Sequence, residues 1–244
     1  MNILQTVRPW LWPLGYDVVP FNPGEHPLAR RRMLLQAYSI DCVLDVGANS
    51  GQYGHELRRH LGFGGRIVSF EPLSAAFAQL QRRAAADPGW DVHNLALGDA
   101  EGSQQIHIAG NLESSSLLPM LPLHAEAAPH SAYQGMETIR VQTLDALFER
   151  VRGTARSMYL KIDTQGYEGR VLRGAAESLA HIDTVQVEMS LAPLYDGQPS
   201  FGALYAQMEA LGYTLVAVEN NFGDPRTGQL LQIDGIFHRF ARHA

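Results

Sequence analysis

The sequence predicts an α/β fold, a seven-stranded, mostly parallel sheet with helices on both faces. Two observations carry that prediction. From residue 41 onward, short apolar runs alternate with segments whose apolar residues recur every three or four positions, as strands and the helices covering them require. The first run, Val43-Leu44-Asp45-Val46, passes directly into Gly47-Ala48-Asn49-Ser50-Gly51 and then a helical pattern. A strand, a glycine turn and a helix in that order open a doubly wound sheet.

Residues 1–39 precede the alternation and are expected to form an arm on a domain at 40–244. Pro9, Pro13, Pro20, Pro23 and Pro27 interrupt any long helix there, because proline lacks an N–H and crowds the preceding turn. Only a short helix near residues 27–38 is expected. Trp10 and Trp12 are expected to pack on the domain; covering a cleft, pairing with a second subunit in a homodimer through the arm, and touching a membrane surface are the alternatives. Strands are expected at 42–46, 66–70, 91–97, 158–162, 185–189, 214–218 and 231–237, each a short run rich in apolar residues. Apolar spacing places helices at 52–61, 74–86, 167–180 and 200–211. The stretch 100–140 breaks the rhythm with a strand at 104–109, a Ser114-Ser115-Ser116 cluster and a proline-rich run through Pro129. Long loops in compact domains are usually functional or mobile, and a substrate-facing lid is expected at 100–140.

Nineteen basic residues against 25 acidic ones give a net charge of −6, which excludes a chain-wide basic footprint for nucleic acid. Cys42 is the single cysteine, so an intramolecular disulfide framework and a multi-cysteine metal cluster are excluded and a reducing cytoplasm is the expected location. No apolar run approaches the roughly 18 residues of a membrane span, and no transmembrane segment is expected.

The turn after the first strand carries the chemistry. Gly47 and Gly51 lack side chains where a ligand must approach the backbone, and the following helix offers free N–H groups. Asp45 at the strand end would repel a dinucleotide pyrophosphate, and Asn49 stands where the second glycine of a dinucleotide fingerprint belongs. The pair disfavours a nicotinamide oxidoreductase and suits a cationic ligand. Glu71 follows Gly51 by 20 residues, at the end of the second strand, the place from which an acid accepts hydrogen bonds from ribose hydroxyls.

The runs D-V-G-A-N-S-G-Q-Y-G at 45–54, F-E-P at 70–72, N-L-A-L-G-D at 94–99, S-S-S-L-L-P-M at 114–120, L-K-I-D-T-Q-G-Y-E at 160–168, V-L-R-G-A at 171–175 and V-E-M at 187–189 resemble the FkbM family of S-adenosylmethionine-dependent methyltransferases. The resemblance runs from about residue 40 to 240. It implies a Rossmann-like class I methyltransferase fold and O-methylation, most often of sugar hydroxyls on glycolipids, glycosides or natural products. Asp45 would then offer charge complementarity to the cofactor's sulfonium. Gly47, Asn49 and Gly51 would hold its methionine part, Glu71 its ribose, and Asn94 with the backbone near Ala96 and Leu97 its adenine.

Asp163 and Glu188 end the fourth and fifth of these strands, so both acids should meet near the transferred methyl. Their arrangement is similar to that of metal-dependent sugar and catechol methyltransferases, in which Mg²⁺ lowers the pKa of the acceptor hydroxyl. Asp163 as a direct general base is the alternative. His124, His130 and His238 are further candidates for that proton. Gln165, Gly166, Tyr167 and Glu168 are expected to shape the site, and Asn111 with Ser114, Ser115 and Ser116 to meet the acceptor, a small molecule or glycolipid of no net charge. A non-catalytic S-adenosylmethionine-binding or scaffold protein of the same fold is the rival reading, opposed by the intact acids at both strand ends.

Overall fold

The computed structural model describes residues 3–240; residues 1–2 of the expected arm and 241–244 of the expected domain lie outside the described residues. The arm holds α1 (Ile3–Leu11) and α2 (Pro27–Ala37). α1 runs through Pro9, contrary to expectation. Proline removes only its own N–H, and at the last turn of a nine-residue helix the lost bond ends little that follows. Trp10 is 79% and Trp12 58% exposed, so the expected packing of these tryptophans on the domain is not found. α2 does pack: Ala29, Arg31 and Leu35 are buried, and Leu35 joins one of the two main cores.

Along the domain follow β1 (Cys42–Val46), α3 (Gln52–Arg59), β2 (Arg66–Phe70), α4 (Ser74–Ala84), β3 (Trp90–His93), β4 (Ala96–Leu97), β5 (Gly102–Ala109), α5 (Pro122–Ala127), β6 (Tyr133–Gln142), α6 (Leu144–Arg152), β7 (Met158–Ile162), α7 (Glu168–Arg173), β8 (Thr184–Ser190), α8 (Phe201–Ala210), β9 (Thr214–Asn220) and β10 (Gln232–His238). Seven strands form the main sheet in the order β3-β2-β1-β7-β8-β10-β9, and β10 alone runs antiparallel, to both of its neighbours. The α/β class and the mostly parallel seven-stranded sheet are as the sequence predicts.

Period-two alternation in β1 divides the cores. Cys42, Leu44 and Val46 pack with α6, α7 and α8, whereas Val43 packs on the other face with Leu57 of α3 and Leu80 of α4. The parallel strands are apolar on both sides because helices cover both sides.

Three expected elements differ. The strand foreseen at 91–97 is two strands, with β3 in the main sheet and β4 in a second sheet of order β4-β6-β5. Between them Asn94 turns its amide onto the carbonyls of Glu71 and Pro72, each at 2.9 Å, and the chain leaves the main sheet. The helix foreseen at 167–180 stops at Gly174, whose missing Cβ lets Gly98 O approach to where a side chain would sit, 1.8 Å away. A separate 3₁₀ turn covers Ser178–His181, and Asp145 accepts the backbone N–H of Glu177 at 3.2 Å and of Ser178 at 2.7 Å. The stretch 100–140 is mostly regular: β5 and β6 pair antiparallel with α5 between them. α6 was not foreseen; Thr143 Oγ1 caps it by accepting Ala146 N–H, and Leu144, Leu147, Phe148 and Val151 bury one face. No helix of the described residues is long and apolar enough to cross a membrane.

Candidate active site

The carboxyl ends of the parallel strands open into a cleft of about 690 Å³, within the roughly 300–1,000 Å³ of small-molecule sites. Beneath it, in-register pairing builds a polar row. Asp45 of β1 stands opposite Ser69 of β2 and Lys161 of β7, and Lys161 opposite Gln186 of β8. Alternation sends all of them to the α3 side. Asp45 Oδ2 accepts from Ser69 Oγ at 3.2 Å, and Lys161 Nζ lies 3.6 Å from Asp45 Oδ1, which has no hydrogen-bond partner. The 3.6 Å separation is an ion pair rather than a hydrogen bond. Gln186 Oε1 accepts from Tyr159 Oη at 2.7 Å and Tyr53 Oη at 3.0 Å.

Burial pushes the Asp45 carboxyl up, with Lys161 opposing that shift. Burial would discharge the Lys161 ammonium, yet Asp163 and Asp45 hold it above its ordinary value. Asp45 is fully buried and is not on the cleft wall. Its expected direct approach to a cationic ligand is therefore replaced by a place one layer below, where it holds Lys161.

Gly47 does reach the wall. Its φ is +81°, and a Cβ there would lie 1.8 Å from the Asp163 carbonyl oxygen. That close approach brings the turns after β1 and β7 together. Gly51 is off the wall: it caps α3 at φ +86°, and its Cβ would press on Leu80 and Trp90. Its role is close packing rather than ligand approach. Asn49, Ala96 and Leu97 line the cleft, whereas Asn94 lies outside it and clamps the backbone after β2.

Glu71 lines the cleft and is only 5% exposed. Its Oε2 accepts Asn49 N–H and its Oε1 accepts Leu73 N–H, both at 2.8 Å. The first and second motifs are thus joined by a hydrogen bond. Burial lifts the carboxyl to about 7 against the pull of those two N–H groups.

At the far end Asp163 and Glu188 converge as expected. One amide joins them: Gln165 Nε2 donates to Asp163 Oδ1 and to Glu188 Oε2, each at 2.9 Å. Glu168 holds the turn that presents Gln165 by accepting Thr164 N–H at 2.9 Å and Gly166 N–H at 3.1 Å. Lys161 Nζ lies 3.2 Å from Asp163 Oδ2. Burial, reinforced by Asp163, Glu168 and Asp234, keeps the Glu188 carboxyl far above the usual range.

These residues do not fit a resident Mg²⁺. A divalent cation needs oxygen ligands, whereas the space between the two acids is spanned by amide N–H bonds and flanked by an ammonium. No group of three or more His, Cys, Asp or Glu side chains is placed to hold a metal among the described residues.

The polar residues of the stretch expected as a lid are occupied with one another and with the turn after β7. Asn111, Ser114 and Ser115 line the cleft, but Ser116 is buried away from its wall and donates to Gln165 O at 2.7 Å. Ser115 Oγ accepts Ala109 N–H at 3.0 Å. Of the described histidines only His124 lines the cleft; His130 is exposed and His238 stacks on Tyr38 at 3.5 Å.

Sequence reasoning missed three contributors. Asp234 of β10 lines the cleft opposite Glu188, with Asn221 Nδ2 donating to Glu188 Oε1 at 2.8 Å and to Asp234 Oδ1 at 3.3 Å. Burial lifts Asp234 to about 6. The available clue was a lone acid inside the apolar run Leu231 to Phe237. Arg31 brings the arm into the site, lining the cleft and pairing with Glu56 and Glu219. Nothing in the local sequence of α2 separates it from Arg30 and Arg32 in the same run.

The family model for the methyltransferase FkbM domain matches residues 45–215. No curated protein matches the sequence significantly. Among solved structures, methyltransferase FkbM from Methylobacillus flagellatus KT is similar with a TM-score of 0.49 and 14% identity, over 80% of this chain and 43% of that one. TehB from Haemophilus influenzae follows with a TM-score of 0.46 and 10% identity, over 85% and 60%, and an rRNA methylase from Streptococcus thermophilus with 0.47 and 9%, over 88% and 98%. The chain spans less than half the length of the Methylobacillus protein. The matched span runs from Asp45 in the first strand to the strand that opens at Thr214, most of the described chain, and the chain belongs to the FkbM methyltransferase family.

Proposed function

We propose that this methyltransferase uses S-adenosylmethionine to methylate a hydroxyl oxygen of a sugar or glycosylated acceptor, such as a glycolipid, glycoside or natural product. The observation that carries the reading is the Glu71 carboxylate, facing the cleft while the turn at Asn49 donates to it. Each carboxylate oxygen spends one lone pair on the backbone and keeps another for a ribose hydroxyl. Ala96 and Leu97 form the adjoining wall, suited to adenine.

When bound, S-adenosylmethionine supplies an electrophilic methyl group. The chain's part is to bind, to orient and to move one proton. Asp163, partly exposed on the cleft wall, accepts the proton of the acceptor hydroxyl as its oxygen takes the methyl. Lys161 and Gln165 fix the orientation of that carboxylate. Glu188 holds the amides of Gln165 and Asn221 and so sets the far wall. Fixing two reactants in this way contributes up to roughly 7–11 kcal/mol.

Calorimetry with S-adenosylmethionine, S-adenosylhomocysteine and NAD, followed by labelled methyl transfer onto a panel of glycosides, tests the reading. Binding of both adenosyl compounds without NAD and label on a glycoside oxygen are expected. NAD binding in their place, or cofactor binding with no transfer to any glycoside, refutes it, the latter in favour of a scaffold or a different acceptor.

A further inference from the structure

Tyr195, in the segment after β8, is buried and stands behind the cleft wall. Its neighbours are tied to the stretch 119–121: Leu121 N–H donates to Leu194 O and Asp196 N–H to Pro119 O, each at 2.8 Å. The Tyr195 hydroxyl lies 2.7 Å from Gln165 Oε1 and 3.2 Å from Ser114 O.

The direction of these bonds is fixed from the other end of the amide. Asp163, paired with the Lys161 ammonium at 3.2 Å, is a carboxylate and only accepts. An amide oxygen 2.9 Å from it would be repelled, so the Gln165 nitrogen takes that place, between Asp163 and Glu188. Oε1 then faces Tyr195. Two oxygens 2.7 Å apart need a hydrogen between them; the amide oxygen has none, so the tyrosine hydroxyl donates. Burial holds that hydroxyl far above its ordinary value, so it keeps its hydrogen. The backbone of Gln165 is held as well. At φ +54° it sits in the left-handed region, where a residue with a side chain stays only if its surroundings impose it. Ser116 Oγ donates to Gln165 O at 2.7 Å, and Tyr195 packs on Gly166, where an added Cβ would lie 3.0 Å from the tyrosine Cβ. Glutamine at a strained position, with its amide nitrogen and amide oxygen both engaged beside the reacting carboxylate, is the arrangement of a built support.

We propose that Tyr195 is a positioning residue for methyl transfer: its hydroxyl holds the Gln165 amide, and through it the Asp163 carboxylate, in register with Ser114 on the cleft wall. The proposal rests on the functional reading above, in which Asp163 takes the proton of the acceptor hydroxyl, and deepens it. Tyr195 touches neither substrate. Because its hydroxyl is shared between Gln165 Oε1 and Ser114 O, a displacement of the Ser114 backbone by a bound acceptor is passed to Asp163 through a single side chain.

Tyr195→Phe keeps the ring and removes only the donor, and two measurements on the full chain read the result. In ligand-free ¹⁵N-labelled protein the Gln165 side-chain amide, assigned by its loss in Gln165→Leu, should exchange its hydrogens about tenfold faster in Tyr195→Phe than in wild type; rates within about twofold overturn the proposal. On the glycoside that the wild-type chain methylates best, Tyr195→Phe should lower kcat about tenfold with both KM values within about twofold. In a Gln165→Leu background the same substitution should change kcat by less than about twofold, because the link is already broken. A merely structural tyrosine gives the opposite pattern, an equal loss in both backgrounds or a loss shared by KM and kcat, and either overturns the proposal. Gln165→Asn suits the left-handed backbone but is too short to join Tyr195 to Asp163. It reads the same link without relying on the folding of Tyr195→Phe, and a kcat within about twofold of wild type overturns the proposal. Failure of the wild-type chain to methylate any glycoside, with the amide exchange as expected, is a different result and refutes the functional reading itself.

Discussion

Binding of S-adenosylmethionine should tighten about tenfold between pH 6 and pH 8, through the ionisation of Glu71. Ribose hydroxyls donate hydrogen bonds, so they need the carboxylate form. Burial holds Glu71 at about 7 while Asn49 and Leu73 each donate to it at 2.8 Å. With that value, about one molecule in eleven is ionised at pH 6 and about ten in eleven at pH 8, a ratio near ten or about 1.4 kcal/mol. At pH 7 each binding event should release about half a proton, visible as a dependence of the calorimetric enthalpy on the buffer. Glu71→Gln keeps one acceptor oxygen and cannot titrate, so its affinity should be weaker and flat with pH. The ligand-free protein should respond in the opposite sense. Because the folded value lies above the ordinary 4.5, the native state binds the extra proton, and this contribution to stability is lost as pH rises from about 4.5 through about 7. The full gap corresponds to about 3 kcal/mol, read as the difference between urea midpoints of wild type and Glu71→Gln. A wild-type affinity no more pH-dependent than that of the variant would refute the argument and remove Glu71 from the ribose.

Three other outcomes are expected. Asp163→Asn should lower kcat by about 10²–10⁴ while S-adenosylmethionine affinity by calorimetry changes little; activity near wild type would take Asp163 out of the mechanism. Exhaustive chelation should leave turnover intact, because Gln165 and Lys161 fill the space a metal would need; loss of activity restored by Mg²⁺ would show that these side chains rearrange around an ion. Arg31→Met should cost about 3–5 kcal/mol in urea unfolding, since it strands Glu219 in the interior without its partner; a cost below about 1 kcal/mol would refute this reading of the ion pair.

Strand positions were written in local patterns, and their consequences for the site were not. β1, β2 and β7 have the bounds that their apolar runs suggest, because parallel strands covered on both faces are nearly continuous hydrophobic stretches. α6 is equally legible, with a threonine cap and apolar residues at 144, 147, 148 and 151. By contrast, the division of 91–97 between two sheets depends on where the Asn94 amide finds its carbonyls, and the end of α7 at Gly174 depends on a neighbour 76 positions earlier, Gly98.

By itself the sequence determined the α/β class, the glycine turn after the first strand, the acid at the end of the second, and the convergence of Asp163 with Glu188, since strand ends of a parallel sheet share one edge. Only the tertiary structure decided what those groups face. It buried Asp45 under Lys161, moved Gly51 into a packing contact with Trp90, closed the gap between Asp163 and Glu188 with Gln165, and brought Arg31, Asp234 and His124 to the same cleft. Local pattern records which side of an element is apolar. The partner of a polar atom is set by register and packing between segments far apart in the chain, and burial, which shifts the charge of Glu71, Glu188 and Asp234, exists only once those segments have met.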